Sequence, residues 1–319
     1  MRKLTKYIFV LAMFWKVAVG PVCGSGPIVK LDPSLDEILP AGVTLESLGE
    51  GYVFLEGPVW VRSGGYLLYS NMPERIIEKW TPDGKKSVYL NLADSIKADA
   101  AEGSLSNGTT LDRQERLVFC SPVSRTIMRV EKDGKFTVLA DRYEGKRLNN
   151  PNDLVYKSNG SLYFTDNGKP PKAELVNSVY LLKNDKLQRV TDQLESPNGI
   201  ALSPDEKYLY VNDIAKKVMW RFEVQPDDTL ANGRVFVDMT SESAIGGLDG
   251  LKVDEKGNIY NSGPGGLWIV SSEGKRLGTI LTPDRVSNLT FGDADGKTLY
   301  ITLHNALYRI RLKIAGVRP

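Results

Sequence analysis

The chain has 319 residues, of which 41% are hydrophobic and 25% are charged. These fractions are typical of soluble globular proteins and exclude a disordered chain. The 41 basic and 39 acidic residues are interspersed, and the formal net charge is only +2. A nucleic-acid-binding protein would normally carry a basic stripe with stacking aromatic residues, so we expect no nucleic-acid partner.

Residues 1–22 have the pattern of a secretory signal peptide. Arg2 and Lys3 precede an apolar run over 7–14, and small residues follow it. This order of basic, apolar and small residues is typical of a segment that is removed after export. Lys16 interrupts the apolar stretch, which is too short to span a bilayer as a stable helix. A retained membrane anchor is therefore the less favoured alternative.

The mature domain is expected to cover 28–319 and to act in the periplasm or outside the cell. Lipid anchoring at Cys23 is an alternative, although Gly20-Pro21-Val22 is a poor match to the small residues that usually precede a lipidated cysteine. Only Cys23 and Cys120 are present, so at most one disulfide can form and a cysteine-based zinc site is excluded. We expect Cys120 to be a small buried residue in a strand.

A segment of strand, polar turn, strand and further strand recurs six times. The second strands alternate β-branched, aromatic and small polar residues, and they read Leu67-Leu68-Tyr69-Ser70, Leu117-Val118-Phe119-Cys120, Leu162-Tyr163-Phe164-Thr165, Leu209-Tyr210-Val211-Asn212, Ile259-Tyr260-Asn261-Ser262 and Leu299-Tyr300-Ile301-Thr302. Successive copies open 39 to 51 residues apart. That spacing fits a meander of four short strands. The sequence therefore predicts an all-β, six-bladed β-propeller with four-stranded antiparallel blades.

The stretch from Ile28 to Phe54 precedes the first clear repeat. We expect it to supply a strand that completes the last blade and closes the ring. Closure of the ring removes exposed sheet edges, which would otherwise pair with other chains.

Equivalent positions in the repeats are expected to meet at one end of the central channel. The residues that open the copies are all carboxylates or amides: Glu56, Asn107, Asn152, Asn198, Asp249 and Asn288. The second strands return to the same face, and the residues that end them are Asn71, Ser121, Asp166, Asp213, Gly263 and Leu303. Converging carboxylates repel one another unless a cation neutralises them. Hard divalent cations prefer such oxygen ligands, so we expect one bound divalent ion.

One other interpretation of these residues stays open at this point. Asn-Gly and Asp-Gly are common turn dipeptides, so each amide taken alone could be a turn residue. A zinc site built from histidine and cysteine is not supported, because His304 is the only histidine in the chain. His304 is expected to lie near the rim without a catalytic role.

Several short motifs resemble the signature segments of the gluconolactonase family, which includes regucalcin and the luciferin-regenerating enzyme. They are Glu-Gly-Pro-Val-Trp at 56–60, Arg-Leu-Asn at 147–149 with Pro-Asn-Asp at 151–153, Ser-Pro-Asn-Gly at 196–199, and Leu-Asp-Gly at 248–250. The resemblance covers nearly all of the chain after the signal peptide. It implies a calcium-dependent propeller that hydrolyses a small-molecule sugar lactone, with magnesium, manganese or zinc as alternative ions.

The resemblance also implies roles for individual residues. Glu56, Asn198 and Asp249 would bind the metal, with Asn152 as the fourth ligand or as a substrate contact. Asp249 would also be the general acid or base. The residues implied to contact the substrate are Arg147, Asn107, Asn149 and Asp166. A surface arginine is the alternative for Arg147, and Asp213 is equally consistent with a structural carboxylate.

Two rival functions remain. One is a related propeller hydrolase that acts on another lactone or ester, which an apolar pocket lining would favour. The other is a ligand-binding propeller without catalysis, in which the metal only holds the blades together, because a fold alone does not establish chemistry. A serine hydrolase is not supported, since the chain has no Gly-x-Ser-x-Gly segment. The oligomeric state is not indicated by the sequence.

Overall fold

The structure is a computed structural model that describes residues 28–96, 103–168 and 173–317. The predicted signal peptide and Cys23 lie outside these residues, and both stay predictions. None of the helices within the described ranges has the length and hydropathy that a membrane span requires. The helical segments are a turn of 3-10 helix at Pro33–Glu37 and one turn of α-helix, α1, at Leu92–Ser95.

Nearly all other regular structure is β-strand. In chain order the strands are β1 (Ile28–Lys30), β2 (Glu46–Glu50), β3 (Leu55–Val61), β4 (Tyr66–Asn71), β5 (Ile76–Trp80), β6 (Lys86–Asn91), β7 (Thr109–Leu111), β8 (Leu117–Ser121), β9 (Thr126–Val130), β10 (Phe136–Ala140), β11 (Arg142–Tyr143), β12 (Lys146–Arg147), β13 (Pro151–Tyr156), β14 (Leu162–Asp166), β15 (Ser178–Lys183), β16 (Lys186–Thr191), β17 (Pro197–Leu202), β18 (Tyr208–Asp213), β19 (Val218–Val224), β20 (Leu230–Asp238), β21 (Leu251–Val253), β22 (Ile259–Gly263), β23 (Gly266–Val270), β24 (Arg276–Leu281), β25 (Val286–Gly292), β26 (Thr298–Leu303) and β27 (Ala306–Arg311).

The strands form six antiparallel blades, as the repeats predicted. Blades 1 to 5 consist of β3–β6, β7–β10, β13–β16, β17–β20 and β21–β24, and blade 6 contains β25–β27. The first strand of each blade is the innermost. A short hairpin, β11 with β12, is inserted between blades 2 and 3 and carries Arg147. The prediction of a six-bladed, four-stranded propeller is confirmed.

The N-terminal stretch closes the ring in the predicted manner. Strand β2 pairs antiparallel with β27 as the fourth strand of blade 6, and Arg309 donates to Glu46 across this pair at 2.8 Å. Strand β1 adds a fifth strand to blade 5 by pairing with β24. The repeat pattern did not predict β1, because its three residues are partly or fully exposed and leave no periodic signal.

The hydrophobic core lies between the blades, in six clusters that each join two neighbours around the ring. The second strands supply the largest buried side chains, including Tyr69, Tyr163 and Tyr260. The cluster between blades 6 and 1 contains Trp60 stacked on Tyr300, with ring centroids 5.3 Å apart. Apolar burial therefore links the last blade to the first, as it links the other neighbouring blades.

Blades 3 and 4 are joined by a buried carboxylate. The side chain of Asp228, in the turn between β19 and β20, has no exposed surface. It accepts from Lys157 at 2.5 Å, Lys183 at 2.6 Å, Asn159 at 2.8 Å and Ser161 at 2.9 Å, all in blade 3. Because a buried ion is tolerated only when it is paired and hydrogen-bonded, these contacts fix the relative position of the two blades.

Asp228→Asn is expected to lower the free energy of unfolding by about 3 kcal/mol, because it leaves Lys157 and Lys183 facing a buried position without a counter-charge. For a domain of this size that is a fall of roughly 6 °C in the melting temperature, measured by circular dichroism at pH 7. Asp227→Asn is the matched control, since Asp227 lies in the same turn, is exposed and bonds only to Thr229 through its side chain.

The effect of Asp228→Asn should shrink in acid. Burial raises the pKa of Asp228, but hydrogen bonds from Lys157 and Lys183 outweigh burial and bring the pKa well below its ordinary value. A lowered folded-state pKa gives stability that is present above the unfolded pKa of about 3.9 and is lost as the pH falls below it. Equal melting of the variant and the wild type at pH 7 would contradict this account.

Candidate active site

The inner strands begin at the same end of the channel, and backbone hydrogen bonds join one blade to the next there. The amide of Gly108 donates to the carbonyl of Asn152 at 2.9 Å, and Gly199 donates to Asp249 at 3.1 Å. Gly250 donates to the carbonyl of Ser287 at 2.7 Å. We call the six residues that open the repeats the ring residues. These backbone hydrogen bonds fix the main chain around them, so they do not lie in mobile turns.

The glycine that follows a ring residue is required by close approach between inner strands. A Cβ atom on Gly57 would lie 2.1 Å from the carbonyl oxygen of Asn107, and one on Gly199 would lie 2.1 Å from that of Asp249. Gly57 also has a φ of +49°, which glycine adopts most readily. The Asn198-Gly199 pair lies within β17, so the interpretation of this pair as a turn is wrong.

Glu56 is 2% exposed and lies next to a second buried carboxylate, that of Asp153. The side-chain amide of Asn288 donates to both, at 3.0 Å to Glu56 Oε2 and at 3.3 Å to Asp153 Oδ2. Burial, followed by the negative charge of Asp153, raises the pKa of Glu56 well above its ordinary value. Two carboxylates bridged by one amide are thus held in the channel.

Asp249 lies in the same electrostatic environment. Burial raises its pKa well above the ordinary value, and the charges of Glu56 and Asp153 raise it further. A hydrogen bond from the Asn198 side chain favours its ionised form. The backbone carbonyl of Asp249 accepts from Asn212 Nδ2 at 2.7 Å, which fixes the main chain beneath the carboxylate. Such convergence of like charges is typical of a cation site or a catalytic acid and base.

Three buried amide oxygens at this end of the channel have no hydrogen-bond partner. They are Oδ1 of Asn107, Asn198 and Asn212, and all three residues are less than a tenth exposed. A buried oxygen acceptor without a donor is costly, so a native protein normally supplies a partner for it. A cation or a hydroxyl group of a substrate would satisfy these oxygens.

The ring contains one residue that the repeat alignment misplaced. Ser287, and not Asn288, accepts the inter-blade hydrogen bond, so Ser287 is the equivalent of Asn152 and Asp249. Asn288 lies one position further along β25, where four other blades have glycine and blade 3 has Asp153, and it donates to Asp153 inside the channel. The misplacement follows from residue type, because position 287 holds a serine and the amide that matches the other blades comes one residue later, at Asn288.

Asp166 and Asp213 end equivalent strands and make equivalent contacts. Asp166 accepts from the backbone amides of Asn149 and Asn150 at 2.8 and 2.6 Å, and Asp213 accepts from Glu195 and Ser196. Burial raises the pKa of Asp166 to about 6 despite these bonds. Both carboxylates hold the chain just before an inner strand, so the structural interpretation of Asp213 is supported and the substrate role of Asp166 stays a prediction.

The other residues predicted to contact the substrate differ in how far their side chains are already hydrogen-bonded within the protein. The Asn149 amide is fully paired, since it donates to the Leu175 carbonyl and accepts from the amides of Glu174 and Leu175. Arg147 lies on the inserted hairpin and donates to the Ser124 carbonyl, while its buried Nε has no partner. Asn152 is 9% exposed in β13. Their roles in binding stay predictions.

His304 lies at the same end of the channel as Glu56. Its backbone carbonyl accepts from Leu55, and its ring packs on Phe54 with centroids 4.3 Å apart. Burial lowers the pKa of the His304 imidazole. Cys120 is buried in β8, as predicted, and burial raises the pKa of its thiol.

A cavity of about 390 Å³ lies at the opposite end of the channel, away from the predicted site. All six inner strands contribute to it, including Val59, Leu111 and Leu154, and Lys252 reaches it as well. Sequence reasoning missed both Lys252 and Asp153. Asp153 could have been found as the one carboxylate at the position where four other blades have glycine.

The residues at the channel mouth fit a divalent cation through mixed carboxylate and amide oxygens. No group of three or more His, Cys, Asp and Glu side chains within the described ranges is arranged to bind a metal alone. The amide oxygen of Asn198 would complete the set offered by Glu56 and Asp249. Calcium accepts such a mixed and irregular set of ligands, whereas a zinc site usually has nitrogen or sulfur ligands.

The chain is similar in sequence and in structure to known proteins. The family model described as "SMP-30/Gluconolactonase/LRE-like region" matches residues 54–305. A gluconolactonase from Zymomonas mobilis is 34% identical over 315 residues, which cover 91% of this chain and 87% of that protein. The structure of a gluconolactonase from Xanthomonas campestris superposes with a TM-score of 0.79 at 32% identity, covering 92% of this chain and 99% of that one.

More distant structures share the fold. The calcium-binding protein regucalcin from Agrobacterium tumefaciens superposes with a TM-score of 0.71 at 20% identity, over 87% of this chain and 96% of that one. At this identity the likeness concerns the fold alone. The family match covers well over half of the chain and includes every predicted metal ligand. The chain therefore belongs to the SMP-30/gluconolactonase/LRE-like family of β-propellers.

Proposed function

We propose that this propeller hydrolyses a sugar lactone at the mouth of its channel, with one divalent cation bound by Glu56, Asn198 and Asp249. Asn152 would be the fourth ligand or a substrate contact. The observation that carries the proposal is the pairing of two buried carboxylates of raised pKa with an unpartnered amide oxygen. The predicted lactonase-type enzyme is supported by the gluconolactonase relative, and calcium is the first candidate ion.

When bound, the cation would supply Lewis-acid polarisation of the lactone carbonyl. Asp249 then has the role of the proton carrier. Its carboxylate accepts a proton from the water that attacks the carbonyl carbon, and the proton passes to the ring oxygen as the ester bond breaks. The product is the open hydroxy acid. The hydrogen bond from Asn198 orients the Asp249 carboxylate for this transfer.

The proposed site of action is outside the cytoplasm. The basic, apolar and small residues over 1–22 support export.

The metal requirement is tested by initial rates of glucono-δ-lactone hydrolysis. Protein treated with chelator should lose at least about 99% of its activity, because carbonyl polarisation supplies several kcal/mol. Activity should return with calcium, magnesium, manganese or zinc, and the order of the rates identifies the preferred ion. Full activity after chelation, with metal content checked by atomic absorption, would remove the metal from the proposal.

A second candidate is a lactone or ester with an apolar substituent. Val53 and Ile245 lie on segments that lead directly to Glu56 and Asp249, and they are 72% and 83% exposed. Exposed apolar side chains beside a site can bind an apolar part of a ligand. Faster hydrolysis of an alkyl-substituted lactone than of glucono-δ-lactone, reversed in a Val53→Ser and Ile245→Ser double variant, would favour this candidate.

A further inference from the structure

The ammonium group of Lys252 lies inside the channel, close to the carboxylate cluster. It is 3.9 Å from Asp153 Oδ2 and 3.4 Å from Asn288 Oδ1, and it donates to the Leu251 carbonyl at 3.0 Å. The Lys252 side chain is only 25% exposed, and that of Asp153 is 2% exposed. Screening by solvent is therefore reduced, and the charge of Lys252 acts on its neighbours.

Lys252 and Glu56 are connected through a short chain of contacts. The Asn288 amide donates to Asp153 and to Glu56, and its Oδ1 lies within reach of Lys252 Nζ. The positive charge of Lys252 favours the ionised form of Glu56. The charge of Asp153 acts in the opposite direction on both Glu56 and Asp249.

The formal charges of these groups balance for a divalent ion. Glu56, Asp153 and Asp249 contribute three negative charges when ionised, and Lys252 contributes one positive charge. The remaining two negative charges equal the charge of one divalent cation. Without Lys252, the three carboxylates would match the charge of a trivalent ion. Without Asp153, the Lys252 ammonium would have no counter-ion and would repel any cation bound at the site.

We propose that Lys252 is a fixed counter-ion of Asp153 that sets the charge of the metal site for a divalent cation. The proposal rests on the proposed function, because it assumes that Glu56, Asn198 and Asp249 bind the ion. Lys252 is a specificity-determining residue in this scheme and does not contact the metal. It opposes a bound cation in proportion to the charge of that cation.

The test is isothermal titration of metal-free protein with calcium and with lanthanum. Wild type, Lys252→Met, Asp153→Asn and the Asp153→Asn/Lys252→Met double variant are compared. Removal of the ammonium should tighten calcium binding about tenfold and lanthanum binding about thirtyfold, since the Coulomb term scales with ion charge. The double variant differs from Asp153→Asn only by the loss of the Lys252 ammonium. This comparison is the sharper one, because residue 153 is uncharged in both proteins and no carboxylate loses its counter-ion.

Lys157→Met is the matched control, since Lys157 also pairs with a buried carboxylate but contacts Asp228 instead of the channel cluster. It should change both affinities less than twofold. An equal change for the two ions, or none, would overturn the role of Lys252. If Asp153→Asn does not fold, the calcium and lanthanum affinities of Lys252→Met are compared with those of the wild type as the same test. A wild type that binds neither ion would instead refute the metal site of the proposed function.

Discussion

Asp249→Asn should reduce kcat/KM for lactone hydrolysis about a thousandfold, because it removes both the proton carrier and a charged metal ligand. The amide keeps the size of the side chain but cannot accept a proton in this pH range. The measurement is initial rates at saturating metal. Asp238→Asn is the control and should retain full activity, because Asp238 is exposed and its side chain bonds only to Thr240.

The melting temperature of Asp249→Asn shows whether a loss of activity comes from lost catalysis or from a less stable fold. In metal-free protein the variant should melt no lower than the wild type, because it replaces a carboxylate whose ionisation burial and the Glu56 charge disfavour. Melting curves recorded with excess chelator provide the comparison. Retained activity, or a loss of activity that only follows a fall in melting temperature, would contradict the role of Asp249.

Gly199→Ala is expected to have the second large effect. Its Cβ would lie 2.1 Å from the Asp249 carbonyl oxygen and 2.8 Å from the Cα of Gly250, so two blades must separate at the ring. We expect a loss of about 3 kcal/mol in the free energy of unfolding, as for severe overpacking. Metal affinity should fall as well, because Asn198 and Asp249 lie on the two strands that are forced apart.

Gly247→Ala is the matched control for Gly199→Ala. Gly247 lies two residues before Asp249, and an added Cβ there meets nothing within 4 Å. Its melting temperature and calcium affinity should stay close to those of the wild type. If Gly199→Ala bound calcium as tightly as Gly247→Ala, close packing of the inner strands would not be what fixes the site.

The predicted ring was correct in most of its members because strand registers repeat from blade to blade. Glu56, Asn152, Asn198 and Asp249 all begin inner strands at one end of the channel. Asn288 departs from the pattern, because the equivalent position in blade 6 holds Ser287, and the neighbouring amide of Asn288 matched the residue type of the other blades. The structure accordingly places Ser287 on the ring and Asn288 deeper in the channel.

The substrate contacts were harder to predict, since residue type does not reveal which partner a polar group has taken. Asn149 and Asp166 are polar and close to an inner strand, yet the structure shows their side chains paired with backbone groups. Asn107 has the same kind of side chain and keeps an unpaired buried oxygen. Only the hydrogen-bond partners distinguish the two cases.

The sequence by itself determined the number of blades, the closing N-terminal strand, the family and the carboxylates at the channel mouth. Each of these depends on a pattern that is local or that repeats at a fixed interval. The tertiary structure alone decided that Asp153, Asn288 and Lys252 meet in the channel. They come from blades 3, 6 and 5 and share no motif, and their contacts depend on the stagger of neighbouring strands and on side-chain conformation. Charge balance across a channel is therefore a property of the closed ring and not of any one repeat.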